Sequence, residues 1–116
     1  MKTEKILREI RDFSKARDWE QFHNPKDLSV ALSIEAAELM ELFLWKNSCE
    51  VKEVSQAKRD EIENEIADIA TYLLRLCDVM EIDLEAAIRR KLALNAERYP
   101  IENARGKNLK YTDLKD

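Results

Sequence analysis

The chain has 116 residues and a mass of 13.6 kDa, which is enough for one small domain with a modest core. It contains one glycine and two prolines, and 45% of its residues are hydrophobic, a composition typical of an all-α protein. The net charge is −4, and acids and bases are interspersed. No basic stripe is therefore available for a nucleic-acid backbone, and we predict no polynucleotide partner.

Hydropathy and cysteine usage predict the compartment. No apolar run approaches the roughly 20 residues that span a bilayer, and no apolar N-terminal leader is visible, so we expect no membrane partner. Cys49 and Cys77 form neither a CxxC motif nor a Cys/His metal spacing. We therefore predict free thiols and a reducing, cytoplasmic location.

Hydrophobic periodicity predicts a bundle of four helices in a single domain, residues 1–100. The four helices cover about 3–17, 25–45, 55–80 and 83–100. Asn24, followed by Pro25, is a good cap for the second helix, and Asp83 is a good cap for the fourth. The C-terminal tail, residues 101–116, contains several lysines, and we expect it to be loosely ordered unless a ligand or partner subunit holds it.

The second predicted helix is apolar around most of its circumference. Such a helix belongs at the centre of a bundle, covered on several sides. Three neighbouring helices of one small chain cannot easily cover all of these faces. We therefore predict a homo-oligomer.

Two pairs of carboxylates interrupt apolar sectors of the second and third helices: Glu35 with Glu38, and Glu65 with Asp68. Residues three apart project side by side from a helix, so the two pairs can face each other. In a chain with 24 acids, most pairs of this spacing are solvated surface. Buried carboxylates, however, need a cation to remain ionised. The apolar setting of both pairs therefore favours a metal site.

The ligand types indicate which metal the site would hold. All four candidate ligands are hard oxygens, which suits Mg²⁺, with Mn²⁺ as a possible substitute. The predicted helices contain no histidine, which argues against zinc or a di-iron centre. Because Mg²⁺ completes its shell with water and substrate phosphates, the site predicts a phosphorylated substrate.

The motif pair E-x-x-E and E-x-x-D resembles that of the MazG-like all-α nucleoside triphosphate pyrophosphohydrolases. A closer likeness, to the dCTP pyrophosphatase branch, runs through RDWEQFHNPKDL, ELMELFLWK, EIADIATYLL, RYP and KYTDL, together with Lys91 and Asn95. The broader motif often has an acid just before the first glutamate; this chain has Ile34 there, and the dCTP branch also lacks that acid. The resemblance implies a MazG-like four-helix bundle and a tetramer built from dimers, with active sites near subunit contacts.

The resemblance also implies hydrolysis of a deoxynucleoside triphosphate, above all dCTP or a modified dCTP, to the monophosphate and pyrophosphate. The carboxylates Glu35, Glu38, Glu65 and Asp68 would bind Mg²⁺. The implied nucleotide-binding residues are Trp19, His23, Trp45, Tyr72, Lys91, Asn95 and Tyr99. Flat aromatic side chains can stack on a base, and an asparagine amide can both donate and accept. We favour Glu38 as the general base, because it lies at the solvent edge of the ligand face.

Other readings of the same residues remain open. The substrate could be a broader set of deoxynucleotides, including dUTP. A non-catalytic helical interaction protein is also possible, with its buried acids paired to Arg75, Lys91 or Arg98. Aromatic residues at helical spacing are more often core, and a single histidine in a loop more often makes a local hydrogen bond.

Overall fold

The computed structural model describes residues 3–114, in which helices and turns account for all regular structure and no strand occurs. The six α-helices of this part are α1 Thr3–Ala16, α2 Pro25–Glu41, α3 Val51–Ala57, α4 Arg59–Val79, α5 Leu84–Arg98 and α6 Ile101–Ala104. Single 3-10 turns lie at Glu20–Phe22 and Tyr111–Asp113. The all-α prediction is confirmed, but the count of four helices is wrong. Over the same residues, no helix has the length and hydropathy needed to cross a membrane.

The described residues divide into two compact units at the boundary between Ile82 and Asp83. Helices α1 to α4 belong to the first unit, and α5 and α6 belong to the second. All four predicted metal ligands lie in the first unit. The assignment of residues 1–100 to one domain stays a prediction.

The first unit is organised around the contact of α2 with α4. Leu28 of α2 is almost completely buried, and Leu74 and Cys77 of α4 are also buried. The start of α2 was correctly predicted, because its signal is local. Asn24 Oδ1 accepts a hydrogen bond from the Asp27 amide at 2.8 Å, and proline occupies the first helical turn.

Helix α2 ends at Glu41, four residues before its predicted end at Trp45. Beyond Glu41 the amides of residues 42–44 bond to carbonyls three residues back, with N···O distances of 3.0–3.2 Å, so the backbone tightens into 3-10 geometry. Trp45 then adopts a left-handed conformation with φ of 63°. No glycine or proline marks this end, and the apolar pattern continues through it, so periodicity alone extended the helix too far.

The region before α4 contains a helix that periodicity missed. Asn47 Oδ1 accepts hydrogen bonds from the amides of Cys49 and Glu50, at 3.0 and 3.1 Å, and the resulting turn leads into the short α3. Helix α3 packs on α4 and buries Val54. The prediction of a single third helix at 55–80 therefore merged the end of α3 with α4. In the structure the two helices are separated by a break at Lys58, where ψ is 26°.

In the second unit, Asp83 caps α5 as predicted, and its side chain accepts from the Ala86 amide at 3.1 Å. Helix α5 ends at Arg98, two residues before Pro100. The tail is more ordered than predicted over its described part, 101–114. It contains α6 and the second 3-10 turn, and the Tyr111 ring lies 6.0 Å from that of Tyr99 and 4.6 Å from the Arg98 guanidinium.

Candidate metal centre and adjoining cavity

The two predicted carboxylate pairs lie on the helices that form the main contact of the first unit. Glu35 and Glu38 project from α2, one turn apart, while Glu65 and Asp68 have the same spacing on α4. Carboxylate oxygens of Glu35, Glu38 and Glu65 all lie within 4.8 Å of one another. Asp68 is outside this group of three, but its charge acts on Glu35 and it lines the adjoining cavity.

The cluster is electrostatically strained. Oε2 of Glu35 and Oε2 of Glu65 are buried, and no donor in the described residues faces either atom. A hydrogen bond with the Glu65 carboxyl, followed by burial and by the Glu38 and Asp68 carboxylates, raises the pKa of Glu35 to about 7. The crowding of carboxylates around Glu35 therefore favours its protonated form.

A divalent cation would relieve this strain. It would favour the ionised form of Glu35 and give the two buried oxygens a partner. The donor set consists only of carboxylate oxygens, which hard cations prefer. Glu35, Glu38 and Glu65 could therefore hold a metal ion, as predicted from their spacing.

A cavity of about 520 Å³ lies beside the cluster, between α1, the segment that follows it, and α4. This volume is in the range of small-molecule sites. Three residues of the implied nucleotide-binding set, Trp19, His23 and Tyr72, line the cavity. Asp68 lines it too, so the cavity and the carboxylate cluster adjoin each other.

Trp19 is positioned by the way α1 ends. Asp18 adopts a left-handed conformation, with φ of 54°, and the Trp19 amide donates back to the Ser14 carbonyl at 2.9 Å. This turn brings the indole edge-to-face with Phe13, with the ring centroids 5.7 Å apart. Arg17 lies over the other aromatic ring, its guanidinium 3.6 Å from the Phe13 centroid. The aromatic wall of the cavity is therefore fixed by local contacts.

His23 is held by a chain of polar contacts that sequence reasoning missed. Arg75 Nε donates to His23 Nδ1 at 3.0 Å, and Arg75 Nη1 donates to Asp78 Oδ2 at 2.9 Å. Arg11 of α1 also binds Asp78, through both carboxylate oxygens. Burial, followed by the Arg75 charge, lowers the pKa of His23, while the hydrogen bond from Arg11 is the main cause that lowers the pKa of Asp78.

The sequence contained only part of the signal for this chain of contacts. The spacing of Arg75 and Asp78 fits an ion pair on one helix face. From the sequence, Arg75 was instead a candidate partner for the buried carboxylates. In the part of the chain that the structure describes, the ion pair of Arg75 is with Asp78.

The implied nucleotide-binding set has four further members. Trp45 follows the tight turn after α2, is 91% exposed and is not among the residues that line the cavity. Lys91, Asn95 and Tyr99 belong to the second unit. Lys91, considered from the sequence as a partner for buried acids, is exposed, whereas Asn95 is half-buried.

Comparison with known proteins identifies the family. A family model for MazG-like proteins matches residues 30–114, which include both carboxylate pairs. The chain belongs to the MazG-like family. The resemblance drawn from E-x-x-E and E-x-x-D is thereby confirmed, and the all-helical architecture agrees with a MazG-like fold.

Individual MazG-like relatives are similar over most of the chain. It is 42% identical to dCTP pyrophosphatase 1 of Rattus norvegicus over 113 residues, covering 96% of this chain and 66% of that protein. It is 40% identical to dCTP pyrophosphatase 1 of Homo sapiens, with the same coverage. The chain thus spans about two thirds of the length of these relatives. A crystal structure of a pyrophosphatase from Archaeoglobus fulgidus is 46% identical, with a TM-score of 0.82, and the match covers 84% of this chain and 91% of that one.

Proposed function

We propose that this MazG-like protein is a Mg²⁺-dependent pyrophosphohydrolase that converts a deoxynucleoside triphosphate, above all dCTP or a modified dCTP, to its monophosphate and pyrophosphate. The observation that carries the proposal is the convergence of three carboxylates next to a cavity with an aromatic wall. The similarity to proteins named dCTP pyrophosphatase 1 supports the choice of substrate. A role in removing unwanted nucleotides from the cellular pool would follow.

The proposed metal ligands are Glu35, Glu38, Glu65 and Asp68. Mg²⁺ suits an all-carboxylate site that leaves room for substrate phosphates, and Mn²⁺ could replace it. A bound cation would supply charge neutralisation for the triphosphate and polarise its α-phosphorus. The carboxylates would fix the position of the cation, and so the place where the phosphates can approach an otherwise acidic surface.

The hydrolysis needs a base that takes a proton from water as the water oxygen attacks the α-phosphorus. The bond between that phosphorus and the bridging oxygen then breaks, and pyrophosphate leaves with the bonding electrons. Glu38 is our candidate for the base. Its side chain is exposed, whereas Glu35 and Glu65 are half-buried, so Glu38 can exchange its proton with solvent.

The cavity would hold the base of the nucleotide. Trp19 and Tyr72 offer aromatic surface for stacking, and His23 offers a polar edge. The remaining proposed contacts are Trp45, Lys91, Asn95 and Tyr99. Lys91 would meet a phosphate, and Asn95 would donate to and accept from a base edge.

The proposed assembly is a homotetramer formed as a dimer of dimers. Val30 and Ile34 of α2 are 50% and 53% exposed, although they lie on the central helix of the unit. They line a shallow groove together with the small residues Ser29, Ser33 and Ala37. Small residues allow close approach of a second helix, so a second copy of α2 fits this groove. The exposed Trp45 would then lie close to a subunit contact.

The proposed location is cytoplasmic. Cys49 is exposed and Cys77 is buried, and both are free. Burial raises the pKa of the Cys77 thiol, which makes it inert. Two unpaired thiols in a short chain fit a reducing compartment.

A direct test is an assay of pyrophosphate and monophosphate release from the four common deoxynucleoside triphosphates and dUTP, with Mg²⁺ and with EDTA. We expect dCTP to be the preferred substrate and EDTA to abolish its turnover. A broader deoxynucleotide or dUTP preference would refute the base assignment alone. The absence of any turnover would refute the enzyme assignment and favour a helical interaction protein.

A matched pair of variants links the activity to the cluster. Glu65→Gln removes one candidate ligand from α4, whereas Glu63→Gln changes an exposed glutamate on the same helix whose partner is Arg59, at 3.0 Å. We expect turnover to be lost in the first variant and retained in the second. Equal activity of both variants would show that the cluster is not the metal site.

A further inference from the structure

The most unusual contact of the cavity is the hydrogen bond between Arg75 and His23, which joins residues 52 positions apart. Only 7% of Arg75 is exposed. Its Nη1 is held by Asp78, and Asp78 is held in turn by Arg11 from α1. The guanidinium is therefore fixed from a second side and cannot easily turn away from the imidazole.

This contact determines where the proton of His23 lies. A neutral imidazole carries one N–H and one acceptor nitrogen. Because Arg75 Nε is always a donor, His23 Nδ1 must be the acceptor, and the imidazole proton must be on Nε2. Protonation of Nδ1 would place two donors against each other, next to a guanidinium charge. His23 is consequently a hydrogen-bond donor through Nε2 and has no free acceptor.

We propose that Arg75 is a positioning residue which holds His23 as an Nε2–H donor, so that the cavity selects a pyrimidine with an acceptor at ring position 3. This inference rests on the proposed function, since it assigns the base that the cavity accepts. Cytosine has an unprotonated N3, whereas uracil and thymine carry N3–H. A histidine that is fixed as an Nε2–H donor can hydrogen-bond to N3 of cytosine. The same N–H would face another donor, N3–H, in uracil or thymine, which disfavours these bases.

Without Arg75, the tautomer of His23 would no longer be fixed. An unrestrained neutral histidine can move its proton to the other nitrogen and present an acceptor instead. It could then pair with N3–H of uracil as readily as with N3 of cytosine. Arg75 would therefore contribute to discrimination between the two bases rather than to binding of nucleotides in general.

The first test reads the tautomer directly in the free protein. His23 is the only histidine of the chain, so the ¹⁵N signals of a histidine-labelled sample belong to it alone. We expect a protonated Nε2 and an unprotonated Nδ1 in the unaltered protein, and a mixture of tautomers in Arg75→Met. Arg59→Met is the control, because Arg59 lies on the same helix in an exposed pair with Glu63. A proton on Nδ1 in the unaltered protein would overturn the proposal even if Arg75→Met fails to fold.

The second test measures kcat/KM for dCTP and dUTP. We expect Arg75→Met to lower the ratio of the two values by about tenfold, and Arg59→Met to leave it unchanged. In a His23→Phe background, Arg75→Met should produce no further loss of discrimination, because Arg75 acts through His23. An equal loss of activity toward both nucleotides would show a purely structural role and refute the proposal.

The two tests separate this inference from the proposed function. An unaltered protein that hydrolyses neither nucleotide would refute the enzyme assignment and, with it, the reading of the base. The NMR result would still show whether Arg75 sets the tautomer. A protein that hydrolyses both nucleotides, with the expected tautomer but no effect of Arg75→Met on the ratio, would refute only the inference.

Discussion

Glu35→Gln should stabilise the metal-free protein at alkaline pH although it removes a candidate metal ligand. In the folded chain the pKa of Glu35 is raised from 4.5 to about 7, because Glu65, burial, Glu38 and Asp68 all favour its protonated form. A carboxyl group with a raised pKa stabilises the fold below its unfolded pKa, and this contribution disappears as pH rises through the folded value. The effect should therefore develop between about pH 4.5 and pH 7.

The size of this effect follows from the same values. The difference between 4.5 and about 7 corresponds to at most about 3 kcal/mol of unfolding free energy. Glu35 is partly exposed, so solvent screening should reduce this to about 1 to 2 kcal/mol. Glutamine has nearly the shape of the protonated glutamate and carries no charge. The variant should therefore keep this part of its unfolding free energy at alkaline pH.

The assay is urea unfolding followed by far-ultraviolet circular dichroism, in EDTA, at equal protein concentrations and at about pH 5 and pH 8. We expect Glu35→Gln to be more stable than the unaltered protein at pH 8 and nearly equal at pH 5. Added Mg²⁺ should favour the unaltered protein, because it binds the folded state through this carboxylate. The exposed Glu63→Gln should shift stability by less than about 0.5 kcal/mol. An unaltered protein as stable as Glu35→Gln at pH 8 in EDTA would refute the reasoning.

Four further predictions concern activity and assembly. Asp68→Asn should abolish turnover while leaving the circular dichroism spectrum unchanged, and full activity would remove Asp68 from the metal site. Asn95→Ala should lower kcat/KM for dCTP by about 1 to 3 kcal/mol and flatten the preference over dUTP, and an unchanged ranking would show that Asn95 does not read the base. Trp45→Ala should weaken the binding of every nucleotide to the same extent, which competition assays would measure. Light scattering should find a tetramer at micromolar concentration and smaller species for Ile34→Glu, and a stable monomer in the unaltered protein would contradict the proposed assembly.

The features predicted correctly from the sequence are those whose cause is local. Asn24 and Asp83 cap their helices through their own side chains, so the cap can be read from neighbouring residues. The spacing of Glu35 and Glu38 puts them on one helix face wherever that helix packs. The carboxylate cluster could be anticipated, because two such pairs on apolar faces require a common explanation.

The errors at the helix ends arise where the backbone departs from the hydrophobic pattern. The pattern continues past Glu41, yet the chain tightens into 3-10 turns and Trp45 becomes left-handed. Helix α3 forms in a polar stretch because Asn47 nucleates a turn and Val54 gains burial against α4. Both outcomes depend on competition between local geometry and tertiary packing. Hydrophobic periodicity carries no information about this competition.

Which residues meet at the site was decided by tertiary structure alone. His23 and Arg75 are separated by most of the first unit, and nothing local to either predicts their hydrogen bond. The pKa of Glu35 depends likewise on Glu65, which reaches it only because α2 packs against α4. The sequence by itself determined which side chains each helix presents on one face. The packing of the helices determined which of those side chains interact, because electrostatic and hydrogen-bond energies depend on distances across elements.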